Sequence, residues 1–173
     1  RTVIGQRVHP DHQYRRKGVL GKIIFRLSRL LYPRADTVFC LGKALRRHML
    51  EEYRLTPTKV TSIANPVDID RLRTASRQEP ECPLPKRFLL HVGRIRFVHK
   101  RQDFLLRSFA SLAPDHPGLH IVFLGEGEDA KSLEALSRDL GLAERVHIPG
   151  WIENAAAVMA RAEALVFCSH YEG

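Results

Sequence analysis

The chain has 173 residues, 44% of them hydrophobic, and a net charge of +9. That apolar fraction excludes a disordered chain, and no apolar run approaches the ~20 residues that a transmembrane helix needs. Cys40, Cys82 and Cys168 and the nine histidines show no metal-type spacing, so the composition implies no disulfide framework, no metal site and a reducing cytoplasm.

The charge is unevenly placed. Residues 1–54 hold 13 Lys and Arg against 4 Asp and Glu, and so carry the whole surplus. A local anionic partner is expected there. The chain opens at Arg1 without an initiator Met and closes at Glu172-Gly173, and it reads as a piece cut at both ends.

A strand is predicted at Thr2–Val8, followed by a polar, basic loop from His9 to Gly18. Leu20, Ile23, Ile24, Leu27 and Leu31 fall at helical spacing, so Val19–Tyr32 is predicted as an amphipathic helix that Pro33 ends. A strand at Thr37–Leu41, a helix from Gly42 to about Tyr53 and a strand at Val60–Ile63 follow. Residues 66 to 86 carry Pro66, Pro80, Pro83 and Pro85 with little periodicity and read as a linker between domains.

A second unit begins near residue 87. Strands are predicted at Phe88–Val92, His120–Leu124, Arg145–Ile148 and Ala164–Cys168. Helices are predicted at Gln102–Leu112, Ala130–Leu140 and Ala155–Ala162. Strands alternating with helices give a parallel sheet covered on both faces. Ligands of such sheets bind at the carboxyl ends of the strands.

The residues at those ends suit an anionic ligand. Arg94 directly follows a strand and can fork onto phosphate oxygens, while Gly93 lets a ligand approach the backbone. Lys100 adds a point charge just before a helix N-terminus. The same residues can also be a surface turn and plain helix capping. Gly125-Glu126-Gly127 links a strand to a helix, but it is not a dinucleotide fingerprint. Pro149-Gly150-Trp151 is another strand-end turn, and packing against the core is the favoured role for Trp151. Glu172 closes the last strand-to-loop step, where a carboxylate can accept hydrogen bonds from a sugar hydroxyl.

In order and placement these segments resemble family 4 glycosyltransferases. The resemblance runs through "LLHVGRI", "KRQDFLLRSFASL", "IVFLGEGEDAKSLEAL" and "RVHIPGWIENAAAVMARAEALVFCSHYEG". It extends back into "YPRADTVFCLGKALRRHM" and "KVTSIANPVDIDRL". It implies an α/β fold of GT-B type, with two Rossmann-like domains that are both incomplete in this chain. Residues 1–65 would end the acceptor-side domain, 66–86 would cross over, and 87–173 would bind the donor.

The activity implied is retaining transfer of a hexosyl or N-acetylhexosaminyl group from a nucleotide diphosphate donor, a UDP-sugar first among them, to a glycan or lipid-linked acceptor. No cofactor or metal is implied, because Arg94 and Lys100 match the family's diphosphate-binding pair and neutralise the leaving group. Gly93, Arg94, Lys100, Gly125, Gly127, Trp151, Ile152 and Gly173 make up the donor-binding set. Glu172 matches the first of two glutamates and faces the donor sugar. His9 matches a histidine near the reacting centre.

The sequence departs from the family in a longer gap between Arg94 and Lys100, which offers His99 as an alternative to Lys100. It also has Gly42 where serine is common, and no second glutamate by Gly173. The chain as given is expected to be inactive.

Two further readings compete. One is a nucleotide-binding module without transfer activity. The other is a membrane-surface module acting through the basic segment 15–29, in which Lys22, Arg26 and Arg29 share a helix face at the cytoplasmic side of a membrane. Packing on the domain's own sheet is the favoured role for that helix's apolar face. Nucleic acid is not expected, because no interleaved aromatics accompany the charge.

Overall fold

The computed structural model describes residues 1–10, 14 and 18–170. Arg15, Arg16, Lys17, Glu172 and Gly173 lie outside the described residues. Among the described residues the chain forms two compact units, one built from residues 1–67 and the other from residues 68–170.

The first unit contains β1 (Val3–Gln6), α1 (Gly18–Leu31), a 3-10 turn at Tyr32–Arg34, β2 (Thr37–Cys40), α2 (Lys43–Glu52) and β3 (Val60–Ser62). The strands form a parallel sheet in the order β1-β2-β3. Val38, Cys40 and Val60 from the sheet meet Met49, Tyr53 and Leu55 in a small core.

Helix α1 corrects the packing expected for its apolar stripe. Val19, Leu20, Ile23, Leu27, Leu30 and Leu31 are 49–75% exposed as a set, Ile23 being the least so at 49%. The buried residues of α1 are instead Gly21 and Ser28. Their small size lets α1 approach closely, and the Ser28 hydroxyl donates to Phe25 O (2.8 Å) and lies 3.2 Å from the Tyr53 hydroxyl. Phe25 meets the Tyr53 ring edge-on, with centroids 5.8 Å apart.

The second unit begins with α3 (Ile69–Ser76), inside the stretch read as linker. Asp68 caps it by accepting the Arg71 N–H at 2.9 Å. Sequence reading misses α3 because its apolar residues Ile69 and Leu72 face solvent and leave no inward stripe to detect. Polar bonds hold it instead. Asn154 donates from Nδ2 to Ala75 O (3.0 Å) and Gln78 Oε1 (2.8 Å), so α3 is tied to the start of a later helix.

There follow β4 (Phe88–Val92), the four-residue helix α4 (Phe97–Lys100), α5 (Gln102–Leu112), β5 (His120–Leu124), α6 (Ala130–Asp139), a 3-10 turn at Ala143–Arg145, β6 (Val146–Gly150), α7 (Ala155–Met159) and β7 (Ala164–Leu165). The sheet is parallel in the order β6-β5-β4-β7. Successive side chains of a strand face opposite sides, and the two cores show it. Ile121 and Phe123 join Leu106, Phe109 and Leu133 on one face. Val122 and Leu124 join Phe88, Leu90 and Val158 on the other.

Two strand ends differ from expectation. β6 runs on through Pro149 to Gly150, across an irregularity in its register with β5. It is an edge strand, where a missing proline N–H is tolerated. β7 is shorter than predicted. Val166 still donates to Leu90 O (2.8 Å), but its own carbonyl is met by the ring of His91 (2.9 Å).

The strand order reverses between β4 and β7. In open parallel sheets that reversal opens a crevice at the carboxyl ends.

Candidate active site at the strand ends of the second unit

A cavity of about 580 Å³ lies at those ends. Gly93 and Arg94 line it from the loop after β4, and Gly125 to Glu128 from the loop after β5. Trp151, Ile152 and Ala155 line it beyond β6. Seven of the sequence-predicted donor residues fall in this unit: Gly93, Arg94, Lys100, Gly125, Gly127, Trp151 and Ile152. All but Lys100 line the cavity itself.

The glycines of the β5 loop serve the protein's own packing. A Cβ on Gly127 would strike the Ile95 carbonyl, and one on Gly125 would strike the Gly93 carbonyl. Gly125 also has a φ of +137°, where other residues are strained. The two loops are therefore pressed together backbone to backbone. Gly93 N–H donates to Leu124 O, Ile95 N–H to Glu126 O and Gly125 N–H to Gly150 O, all at 2.8–2.9 Å. Sequence reading assigns the close approach to a ligand, whereas at 125 and 127 the neighbour is the adjacent loop. Gly93 is different. It has a φ of +147°, and the nearest atom to a Cβ there would be Lys100 Cε at 3.9 Å.

That proximity shows where Lys100 goes. Its side chain runs beside Gly93, back toward the loop that carries Arg94. Helix α4 takes up the long gap between Arg94 and Lys100, and the Asp129 carboxylate accepts the first N–H of that helix, Phe97, at 2.8 Å. Arg101 then joins α4 to α5 in a left-handed conformation, with φ +55°. His99 gives its carbonyl to the His170 N–H at 3.0 Å.

Arg94 is 3.1 Å from Glu128, which also lies 3.7 Å from Arg96. The side chains of Arg94 and Glu128 are more than half exposed, so the pair adds little to stability and exchanges readily for another anion. Trp151 is 69% exposed at the cavity wall, which corrects the packing role expected of it. Ile152 is buried and supplies the apolar floor.

The remaining site residues stand elsewhere. His9 belongs to the first unit, where its ring lies 4.0 Å from that of His48, centroid to centroid. Glu172 and Gly173 fall outside the described residues. Among the described residues no group of three or more His, Cys, Asp or Glu is arranged to hold a metal. No helix among them is long and apolar enough to cross a membrane.

Sequence reading overlooks three positioning side chains. Asp129 is not singled out, and Gln102 is read only as the first residue of a helix. His91 is the one with a visible signal, being a polar residue inside an apolar strand that must find partners when buried.

Two units of parallel α/β architecture, the second with an arginine-lined cavity at the carboxyl ends of β4, β5 and β6, define the GT-B fold. Solved structures agree. The chain is similar to Anabaena HepE in complex with UDP and glucose at a TM-score of 0.71 and 17% identity, covering 96% of this chain and 46% of that one. It is similar to Staphylococcus aureus TarM, in a complex that includes UDP, at a TM-score of 0.68 and 18% identity, covering 86% and 28%. At these identities the likeness concerns the fold alone.

The model of "Glycosyl transferases group 1" matches residues 73–173, and that of "Glycosyltransferase Family 4" matches residues 6–71. The chain belongs to this glycosyltransferase family. A curated relative, 30% identical over all of this chain and 46% of its own length, is the N-acetylgalactosamine-N,N'-diacetylbacillosaminyl-diphospho-undecaprenol 4-alpha-N-acetylgalactosaminyltransferase of Campylobacter jejuni subsp. jejuni. Another is the lipopolysaccharide 1,6-galactosyltransferase of Salmonella typhimurium, 28% identical over 80% of this chain and 38% of its own length. The chain thus spans less than half the length of these relatives.

Proposed function

We propose that this chain forms the donor-holding part of a retaining glycosyltransferase that moves a hexosyl or N-acetylhexosaminyl group from a nucleoside diphosphate to a lipid-linked glycan. The observation that carries this reading is the convergence of Arg94 and the Lys100 side chain on the Gly93 loop, at the switch point of the sheet. In the transfer step the bond from the anomeric carbon to the diphosphate oxygen breaks, and the electron pair stays with the diphosphate. The acceptor oxygen bonds to the same face of that carbon, and its proton leaves with the released diphosphate. Fixed cations aimed at the developing charge stabilise this step without needing a metal. Arg94 supplies a planar fork and Lys100 a point charge. Trp151 offers a ring face for the base at the cavity wall, while Glu172 and Gly173 are assigned to the donor sugar and His9 to the acceptor side. UDP is the favoured nucleotide, in keeping with the UDP bound in the solved relatives of the same fold. In this reading residues 1–65 belong to the acceptor side.

The acceptor suggests a place of work. α1 presents an exposed apolar stripe beside Lys22, Arg26 and Arg29, a combination suited to the anionic inner face of a membrane. The reading is tested by thermal stability of the full-length protein against UDP, GDP, ADP and their sugars in EDTA. One nucleotide should raise the midpoint, and Arg94→Ala should sharply reduce the gain at the same nucleotide concentration. No shift from any nucleotide would overturn the donor site and leave the membrane-surface reading to stand alone.

A further inference from the structure

The loop that carries Arg94 is held by a side-chain clasp buried beneath it. Gln102, the first residue of α5, and His91, in β4, are both completely buried. Buried polar groups cost free energy unless they are paired, and here three bonds engage both amide hydrogens and the oxygen of Gln102. Gln102 Nε2 donates to Arg94 O at 3.0 Å and lies 3.1 Å from His91 Nε2. Gln102 Oε1 accepts the Arg96 N–H at 3.2 Å. His91 Nδ1 lies 2.9 Å from Val166 O.

The proton positions follow from these partners. A carbonyl only accepts, so His91 Nδ1 carries the hydrogen. His91 Nε2 is then the acceptor, and it takes the second amide hydrogen of Gln102. One glutamine thus binds the backbone on both sides of Ile95. One histidine fixes that glutamine's orientation and ties it to the segment that continues β7. The clasp reaches no solvent, and its printed bonds to the Arg94 loop run to backbone atoms, Arg94 O and Arg96 N. What it fixes is the backbone from Arg94 to Arg96, and hence where the Arg94 guanidinium starts.

We infer that Gln102, oriented by His91, is a positioning residue for the diphosphate: it acts through the Arg94 loop without contacting the ligand. The inference rests on the donor-site reading above. It also explains why a polar residue stands at the buried entrance of an otherwise apolar helix face made of Leu105, Leu106 and Phe109.

The test is a double-mutant cycle read by UDP affinity, using the full-length protein with EDTA present. Gln102→Met keeps the volume and removes all three bonds. It should weaken UDP binding on the order of tenfold, the equivalent of one unsatisfied buried polar group. In an Arg94→Ala background the same change should have less than a threefold effect, because the side chain it positions is gone. Leu106→Ala, on the same helix but facing the core, should lower the melting temperature and leave UDP affinity unchanged. Should Gln102→Met not fold, Gln102→Glu carries the same expectation. It keeps the shape and the Arg96 bond but cannot donate to Arg94 O. Unaltered protein that binds no nucleotide overturns the donor site and this inference with it. Unaltered protein that binds UDP, with an equal Kd in the Gln102 variant or with fully additive effects, overturns the inference alone.

Discussion

Helices α1 and α5 carry similar amphipathic patterns and use them in opposite ways. α5 turns Leu105, Leu106 and Phe109 into the second unit's core. α1 turns Leu20, Ile23 and Leu27 outward and packs through Gly21 and Ser28. Periodicity defines a face; which way the face points is set by what the rest of the fold offers it. The second unit offers α5 a sheet rich in β-branched and aromatic side chains. The first offers α1 the tyrosine ring and hydroxyl of Tyr53, for which a serine and a phenylalanine are the matching partners. In the second unit the loops after β4 and β5 are therefore locked to each other, whereas α1 leaves its apolar stripe exposed.

The largest expected effect breaks that lock. Gly127→Ala forces the Ile95 backbone to move, which should cost the second unit about 2–3 kcal/mol and abolish nucleotide binding. A melting temperature within a degree of the parent would mean the two loops are not locked together.

Next comes the surface. Leu20→Gln, Ile23→Gln and Leu27→Gln together keep helix propensity and remove the apolar stripe. Co-sedimentation of the full-length protein with anionic vesicles should fall tenfold or more, with little change in stability. Unchanged sedimentation would contradict the membrane role. An unfolded variant would show that another part of the protein covers this face.

A smaller effect reports on the opposite end of the second sheet. His147 Nε2 lies 3.0 Å from His120 Nδ1. Burial first, and then the neighbouring His120, hold the His147 pKa below the ordinary 6.5, against an opposing pull from Glu144. The unfolded chain therefore binds this proton more tightly than the folded one. The stability at stake is complete above about pH 6.5 and is lost as pH falls toward the folded value. His147→Gln should flatten the decline of the melting temperature between about pH 7 and pH 5. An unchanged slope would assign that decline to other groups.

The smallest effect concerns Arg101. Its left-handed conformation costs roughly 1–2 kcal/mol in a residue with a side chain. Its contacts with Asp103 (3.5 Å), the Phe104 ring (5.4 Å) and His170 (3.2 Å) offset part of that. Arg101→Gly should raise the melting temperature by about one or two degrees. A fall would show that the arginine's contacts outweigh its strain.

These contrasts also explain what could be read from the chain. The strands of the second unit and the cations at their ends were legible, because apolar runs between turn residues fix both element and position. The destination of Lys100 was not, since it depends on the turn of α4 and on Asp129, which caps that helix from the far side of β5. The packing role of Gly125 and Gly127 was hidden for a similar reason: a glycine shows that something comes close, not what. The burial of Gln102 left no mark in composition or periodicity. α3 escaped because hydrogen bonds from Asn154, and not an apolar stripe, hold it in place. Trp151 misled because aromatic residues usually pack, while here the strand-end turn carries it to the cavity wall.

That exposed ring offers the most direct measurement of the central claim. Trp151 is the single tryptophan of this chain, and it lines the cavity beside Arg94. In a titration with UDP in EDTA its fluorescence should change in a saturable way, and Arg94→Ala should weaken the response on the order of tenfold or more. A flat titration, or one that Arg94→Ala leaves at the same Kd, would contradict a metal-independent diphosphate site at these strand ends.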